Sequence, residues 1–112
     1  MITSIQGMHA WLLQRMTAVF MLAYFVASIV YFVFFSPDHY GQWHEVMTAM
    51  PVVIATVLFF VALSLHAWVG LRDVAIDYIH RFSLRILLLG LIFILLFGQT
   101  LWVILVLAKA MP

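Results

Sequence analysis

The chain has 112 residues, of which 68% are hydrophobic and 8% are charged, and its mean hydropathy is +1.22. A soluble domain of this length could not cover so much apolar surface with so few charges, so the composition excludes that class. The net charge of +1 gives no reason to expect nucleic acid as a partner. The absence of cysteine excludes disulfides, thiolate metal sites and iron–sulfur clusters held by this chain.

The fixed charges leave three long uncharged runs, residues 16–37, 46–71 and 86–108. Each run meets the requirement of roughly 20 apolar residues for a helix that crosses a bilayer core of about 30 Å. Only a helix satisfies its own backbone hydrogen bonds in such a core, apart from a closed barrel. We therefore predict an all-α membrane protein. It is a single membrane-anchor domain over residues 1–112, with transmembrane helices at approximately 12–35, 50–78 and 84–108.

The ends of these helices and their orientation follow from proline and from the basic residues. Ser36-Pro37-Asp38 predicts the end of the first helix, and Pro51 suits the first turn of the second. Lys109 alone lies beyond the third helix, and the other basic residues lie on the opposite side of the membrane. These are Arg15, Arg72, Arg81 and Arg85. The positive-inside rule then predicts a cytoplasmic N-terminus and a periplasmic C-terminus.

Two features of the chain favour a subunit of a bacterial inner-membrane complex. The sequence shows neither a secretory signal peptide nor an Arg- and Ser-rich mitochondrial leader. It also has no polar connection long enough to form a soluble catalytic domain. A chain this small, almost all of it membrane, is more often a subunit than a complete enzyme, so we expect no enzyme activity from the chain alone.

His66 lies in the second predicted helix, in a run without fixed charge between Glu45 and Arg72. Ionisable groups at that depth are costly, and they usually mark an ion path, a ligand or a buried partner. A neutral imidazole with one free ring nitrogen suits a haem iron as an axial ligand. The alternative is that His66 forms a hydrogen bond to a serine or a backbone carbonyl on a neighbouring helix. The residue by itself leaves both interpretations open.

A polar stripe follows one face of this helix, because about 100° per residue brings positions seven and eleven apart back to nearly the same direction. Its members are His66, Gly70, Asp73 and Asp77. The glycine would let a helix or a flat ligand approach closely, and a chain expressed alone would turn the stripe toward lipid. The alternative for the two aspartates is that they form surface ion pairs with neighbouring arginines.

These residues carry a family resemblance. The run His66-Ala67-Trp68-Val69-Gly70-Leu71, then Asp77-Tyr78, then Arg85 at the start of a third helix, resembles the hydrophobic membrane-anchor subunits of succinate dehydrogenase. The closer resemblance is to the smaller of the two anchor chains in bacterial succinate:quinone oxidoreductases. Gly7-Met8-His9 and Arg15-Met16-Thr17-Ala18 resemble the family's approach to its first helix.

The resemblance implies roles for four residues. His66 would bind the iron of a haem b that is held between two anchor subunits, as one of the two axial ligands. The hydroxyl group of Tyr78, with Asp77 beside it, would form a hydrogen bond to a ubiquinone carbonyl near the cytoplasmic face. Arg15 would lie near the haem propionates or the quinone site, and its alternative is a simple interfacial anchor.

The resemblance also implies partners. A six-coordinate haem needs two axial ligands, and the other histidines of this chain lie outside the membrane or at its edges, namely His9, His39, His44 and His80. A second anchor subunit of cytochrome b type would therefore supply the other ligand. An iron–sulfur subunit and a flavoprotein subunit on the cytoplasmic face would deliver the electrons.

Two classes of function remain open. The first is the anchor of succinate dehydrogenase that helps to bind haem b and ubiquinone and passes electrons from succinate oxidation to the quinone pool. A fumarate reductase anchor belongs to the same class, because the direction of electron flow depends on the potential of the quinone. The second is a redox-silent structural anchor, or a small oligomeric transporter that uses His66 and Asp77 as a proton relay.

Overall fold

The computed structural model describes residues 2–112, with side chains described from Gly7 onward. Within that range it contains four helices and no strand. The helices are α1 (Ile2–Phe34), α2 (Tyr40–Met47), α3 (Met50–Tyr78) and α4 (Phe82–Ala110). From Gly7 onward α1 is long and apolar enough to cross a membrane, as are α3 and α4. The prediction of an all-α protein with three membrane-spanning helices is confirmed.

The central helix is α3, which packs against both α1 and α4. Its buried residues are all small or β-branched: Thr56, Ala62, Val69 and Ala75. Small residues at a helix contact let the two backbones approach closely, which is the usual packing device within a bilayer. The bundle measures 52 by 26 by 20 Å, and its long dimension suits a bilayer of about 40–45 Å including the headgroups.

Large apolar side chains cover the outside of the bundle. Among the described side chains no large one is fully buried, and residues such as Phe25, Leu95 and Trp102 are more than half exposed. Exposure of this much apolar surface to water would be unfavourable. Contact with lipid tails carries no such cost, because the tails are as apolar as the side chains. The exposed faces are therefore available to lipid and to other membrane subunits.

Proline marks two of the helix boundaries, as expected. α1 ends at Phe34, shortly before Pro37, and Pro51 lies in the first turn of α3. The connection between these helices contains the short α2, which the sequence analysis did not predict. The Nδ1 atom of His39 accepts a hydrogen bond from the backbone N–H of Gln42 and caps the start of α2.

Candidate functional site

His66 lies near the middle of α3 and directs its imidazole ring toward α1. Its Nδ1 atom is 3.1 Å from Oγ1 of Thr17. Thr17 is buried, with 7% of its surface exposed, and His66 is half-buried. One of the two interpretations of His66, a polar partner on a neighbouring helix, is thus found in the structure, although the partner is a threonine hydroxyl.

The hydrogen bonds of Thr17 favour one tautomer of His66. Oγ1 of Thr17 is 2.7 Å from the backbone carbonyl oxygen of Leu13 and 3.2 Å from that of Gln14. Carbonyl oxygens only accept, so the single hydroxyl proton is donated along α1. In that arrangement Oγ1 accepts from His66, which requires the proton of a neutral imidazole on Nδ1 and leaves a lone pair on Nε2.

The Nε2 atom of His66 is available to a group outside the chain. It forms no hydrogen bond with the groups described from Gly7 onward, and it is not among the buried unpartnered atoms of that range. A haem iron accepts such a nitrogen, and the porphyrin supplies the four equatorial ligands itself. The site therefore fits a haem, although the described residues contain no cluster of three or more His, Cys, Asp or Glu side chains for a free metal ion.

The polar stripe on α3 faces α1 for part of its length. His66 contacts Thr17, and a Cβ atom on Gly70 would lie 3.4 Å from Nε2 of Gln14, which is ordinary van der Waals contact. At these two positions α1 contacts the stripe, and both residues stay partly exposed in the isolated chain. Gly70 is approached by a side chain of its own chain, and an alanine would also fit there.

The two aspartates of the stripe have different surroundings. Asp73 forms an ion pair with Arg72, with 3.2 Å between Oδ1 and a guanidinium nitrogen, and it lines a cavity of about 760 Å³ together with Trp11 and Gln14. Asp77 is exposed, and no ion pair or hydrogen bond of its side chain is found within the described part of the chain. The surface-pair alternative thus describes Asp73, and Asp77 remains free for another role.

Tyr78 is the last residue of α3 and is 78% exposed. The helix is unbroken from His66 to this point, so Tyr78 stands about 18 Å along the axis from the histidine. The two residues therefore belong to separate places, one within the bundle and one at its rim. We call that rim the basic end; it comprises Arg72, Arg81 and Arg85.

Arg85 holds the turn that follows Tyr78. Its Nε and Nη2 atoms donate to the backbone carbonyl of Ile79 at 3.0 and 2.9 Å, and Nη2 also lies 3.4 Å from the carbonyl of Ile76. These carbonyls lie at the end of α3, where helical partners run out. Sequence reasoning placed Arg85 only at the start of the third helix and assigned it no contact.

Arg15 lies close to the level of His66, since Thr17 contacts His66 and Gln14 contacts Gly70, and it is on the face of α1 that points away from α3. It is two residues before Thr17, which is about 160° around the helix. Its guanidinium group lies over the ring of Trp11, 5.2 Å from the ring centroid, and the side chain is exposed. Within the described residues Arg15 and His66 make no direct contact, so any shared role requires a group that reaches both.

A second polar pair joins α1 and α3 farther from the basic end. The hydroxyl groups of Tyr24 and Thr56 are 2.8 Å apart, and Thr56 is buried, with 5% of its surface exposed. Neither Thr17 nor Thr56 was singled out from the sequence as part of an interhelical contact. The available signal was a hydroxyl inside an uncharged apolar run, which indicates a packed face but does not identify its partner.

Known proteins with similar sequences agree with this architecture. Residues 1–108 match the family described as "Succinate dehydrogenase/Fumarate reductase transmembrane subunit". The chain is also similar to the succinate dehydrogenase hydrophobic membrane anchor subunit of Coxiella burnetii (strain RSA 493 / Nine Mile phase I). The two are 32% identical over 102 residues, which is 91% of this chain and 89% of that protein.

These findings, together with the three apolar helices, identify a multi-pass protein of the bacterial inner membrane. The family resemblance carried by His66, Asp77, Tyr78 and their neighbours is confirmed by a match that extends over nearly the whole chain. The chain belongs to the family of succinate dehydrogenase and fumarate reductase transmembrane subunits.

Proposed function

We propose that this chain is an anchor subunit of succinate dehydrogenase that helps to bind haem b and ubiquinone and passes electrons from succinate oxidation to the quinone pool. Its family membership supports the anchor role. The finer proposal depends mainly on one observation, the state of His66. Its Nδ1 atom lies 3.1 Å from Oγ1 of Thr17, and its Nε2 atom has no partner among the described residues.

His66 would bind the haem iron through Nε2, and a second anchor subunit of cytochrome b type would provide the opposite ligand. A second chain is required because this one has a single histidine deep in the membrane. When bound, haem b supplies a one-electron redox centre between the two subunits. Arg15 would pair with a propionate group or lie near the quinone, since it is exposed and lies close to the level of His66.

Tyr78 and Asp77 would form this chain's part of the ubiquinone site. Reduction of a quinone to a quinol consumes two electrons and two protons. The Tyr78 hydroxyl group would donate a hydrogen bond to one quinone carbonyl, and the exposed carboxylate of Asp77 would accept protons from water and pass them toward the reduced oxygens. Both side chains are exposed in the single chain, which suits a site completed by other subunits.

The electrons must reach the membrane from other chains, because this one has no cysteine to hold an iron–sulfur cluster. An iron–sulfur subunit and a flavoprotein subunit would dock at the basic end, which the positive-inside rule places in the cytoplasm. The exposed Asp77 and Tyr78 lie at that same end. A fumarate reductase would use the same residues with the electron flow reversed.

A proton-coupled transporter has less support. A relay between His66 and Asp77 would have to cross about 16 Å along the helix axis. Within the described part of the chain, no hydrogen bond joins either side chain to the other or to a shared intermediate group. Family membership favours the redox complex.

Replacement of the proposed ligand tests the function. His66→Leu should leave the helices inserted but remove or loosen the haem, because the iron loses one of its two axial nitrogens. The measurement is the reduced-minus-oxidised spectrum of the complex purified with its partner subunits. His39→Asn is the matched control. It removes a histidine that lies outside the three long helices, at the start of α2, and it introduces a residue type that caps helices well. An unchanged haem spectrum in a normally assembled His66→Leu complex would contradict the proposal.

A further inference from the structure

Thr17 is the only side chain among the described residues that forms a hydrogen bond to His66. It lies in α1, within an uncharged apolar run, and is one of two buried polar residues among the described side chains. A second buried threonine, Thr56, bonds to a tyrosine in the same interface. The interface therefore contains two interhelical hydrogen bonds of similar type, and only one of them touches the proposed haem ligand.

We propose that Thr17 is a positioning residue for the haem: its hydroxyl group fixes the tautomer and the ring orientation of His66, so that Nε2 carries the lone pair. This inference rests on the proposed role of His66 as an axial ligand. A histidine that ligates a metal usually donates its other N–H group to an oxygen, and this second bond orients the ring and raises its basicity. Thr17 supplies that oxygen from within the same chain.

The opposite tautomer is disfavoured by the same geometry. Oγ1 of Thr17 can donate to the carbonyl of Leu13 at 2.7 Å and at the same time accept from the Nδ1–H group of His66 at 3.1 Å. With the proton on Nε2, the Thr17 hydroxyl group would have to turn and donate to Nδ1, and its 2.7 Å bond to the Leu13 carbonyl would be lost. The tautomer with the proton on Nδ1 keeps both hydrogen bonds of Thr17, and it is also the one that leaves the Nε2 lone pair for the iron.

The nature of the acceptor also has a consequence for the iron. A threonine hydroxyl is neutral. It makes the imidazole more electron-donating but leaves the proton on the ring, whereas a carboxylate tends to remove that proton. Greater donation stabilises the oxidised iron more than the reduced iron. Loss of the Thr17 hydroxyl group should therefore shift the haem midpoint potential to a more positive value.

Three variants of the assembled complex test this inference. Thr17→Val keeps the shape of the side chain and removes the hydroxyl group. We expect a more positive haem midpoint potential, altered low-spin electron paramagnetic resonance signals and haem loss about tenfold faster, the lower end of the effect of removing such a partner. Thr17→Ser keeps the hydroxyl group, so the potential, the resonance signals and the rate of haem loss should stay as in the unmodified complex. Thr56→Val, the matched control, removes the other buried hydroxyl of the same interface and should leave all three unchanged.

The outcomes separate the possibilities. Equal changes in Thr17→Val and Thr56→Val would overturn the inference, because they would show a general packing effect. Haem properties that stay normal in Thr17→Val but are lost in His66→Leu would overturn it while the ligand assignment survives. A normal spectrum in His66→Leu would instead reject the proposed function itself. If the valine variant does not assemble, Thr17→Ala and Thr17→Ser replace it, since they differ only in the hydroxyl group.

Discussion

The guanidinium group of Arg85, in the first turn of α4, donates two hydrogen bonds to the backbone carbonyl oxygen of Ile79, at 2.9 and 3.0 Å. Ile79 is the residue directly after Tyr78, where α3 ends. The carbonyls of a last helical turn have no partner within the helix, and here a side chain from the next helix supplies one. The turn that follows Tyr78 is thus held from α4.

Arg85→Lys should impair the quinone site without touching the haem. Lysine keeps the charge but lacks the planar fork that makes two bonds to one carbonyl. Losing one such bond, worth about 1 kcal/mol net, predicts a rise in the KM for ubiquinone of roughly three- to tenfold. The measurement is succinate-dependent quinone reduction by the assembled complex, with the haem spectrum recorded on the same preparation.

Arg81→Lys is the matched control for this prediction. Arg81 lies in the same connection and is exposed, and no side-chain hydrogen bond or ion pair of it is found in the described part of the chain. Its replacement should leave the KM unchanged. An equal rise in both variants would assign the effect to the general sensitivity of the basic end, and no rise in Arg85→Lys would show that the turn holds its shape without the two bonds.

Tyr78→Phe should separate the quinone site from the haem site. The change removes one hydroxyl group about 18 Å along α3 from His66. If that group donates to a quinone carbonyl, its loss should cost about 1–3 kcal/mol, a fall of roughly ten- to a hundredfold in quinone-dependent succinate oxidation. Electron transfer from succinate to an artificial dye and the haem spectrum should both persist.

Tyr40→Phe provides the control, because Tyr40 is a similarly exposed tyrosine in α2, 71% against 78% for Tyr78, far from the basic end. It should affect neither activity. If quinone and dye activities fell together in Tyr78→Phe, the residue would instead hold the soluble subunits in place. If neither changed, Tyr78 would be an ordinary interfacial aromatic residue.

The three long helices could be predicted from the sequence because charge and hydropathy act on whole segments. The ends of the helices were harder to predict. An apolar run marks only the part of a helix that suits hydrocarbon, and the helix itself can extend further, as α1 does to Ile2. The eight-residue α2 was missed because it is short and mixes polar with aromatic residues. In α2, Nε2 of His44 donates to the carbonyl of Ala110 at 3.1 Å. This contact joins residues that are distant in the chain.

The candidate site shows the same division. His66 was predictable because an imidazole in an uncharged run is costly and therefore informative. Thr17 was not, because its role depends on the relative placement of α1 and α3, and a single sequence does not determine which residues of two helices meet. The pairing of Asp73 with its neighbour Arg72 was foreseen as an alternative, since adjacent opposite charges need no tertiary contact.

Asp77→Asn should slow quinone reduction by removing a proton carrier while keeping the size and polarity of the side chain. The expected result is a lower kcat for quinone reduction with a smaller change in KM, because a general acid–base group contributes to the rate of proton transfer. Asp73→Asn is the control, since its carboxylate is already paired with Arg72. Equal losses in both variants would indicate that charge at the basic end, and no specific proton route, is responsible.

The last prediction concerns the chain without its partners. Expressed alone, it should insert into the membrane, because its three long apolar helices span the bilayer and α1 covers part of His66 and Gly70. It should nevertheless bind haem poorly, since His66 is its one histidine deep in the membrane and a six-coordinate haem needs a second axial ligand. The measurement is haem stoichiometry and spectrum of the purified chain, with and without the second anchor subunit co-expressed.

Co-expression should restore a low-spin haem, and co-expression with His66→Leu should not. The second result serves as the control, because it shows that the partner alone does not hold the haem. Full occupancy by a low-spin, six-coordinate haem in the monomeric chain would contradict the prediction, since both axial ligands would then come from one chain. A chain that aggregates when alone yet binds no haem after co-expression would instead argue against His66 as a ligand. The co-expression experiment therefore tests whether the haem site is shared between the two anchor subunits.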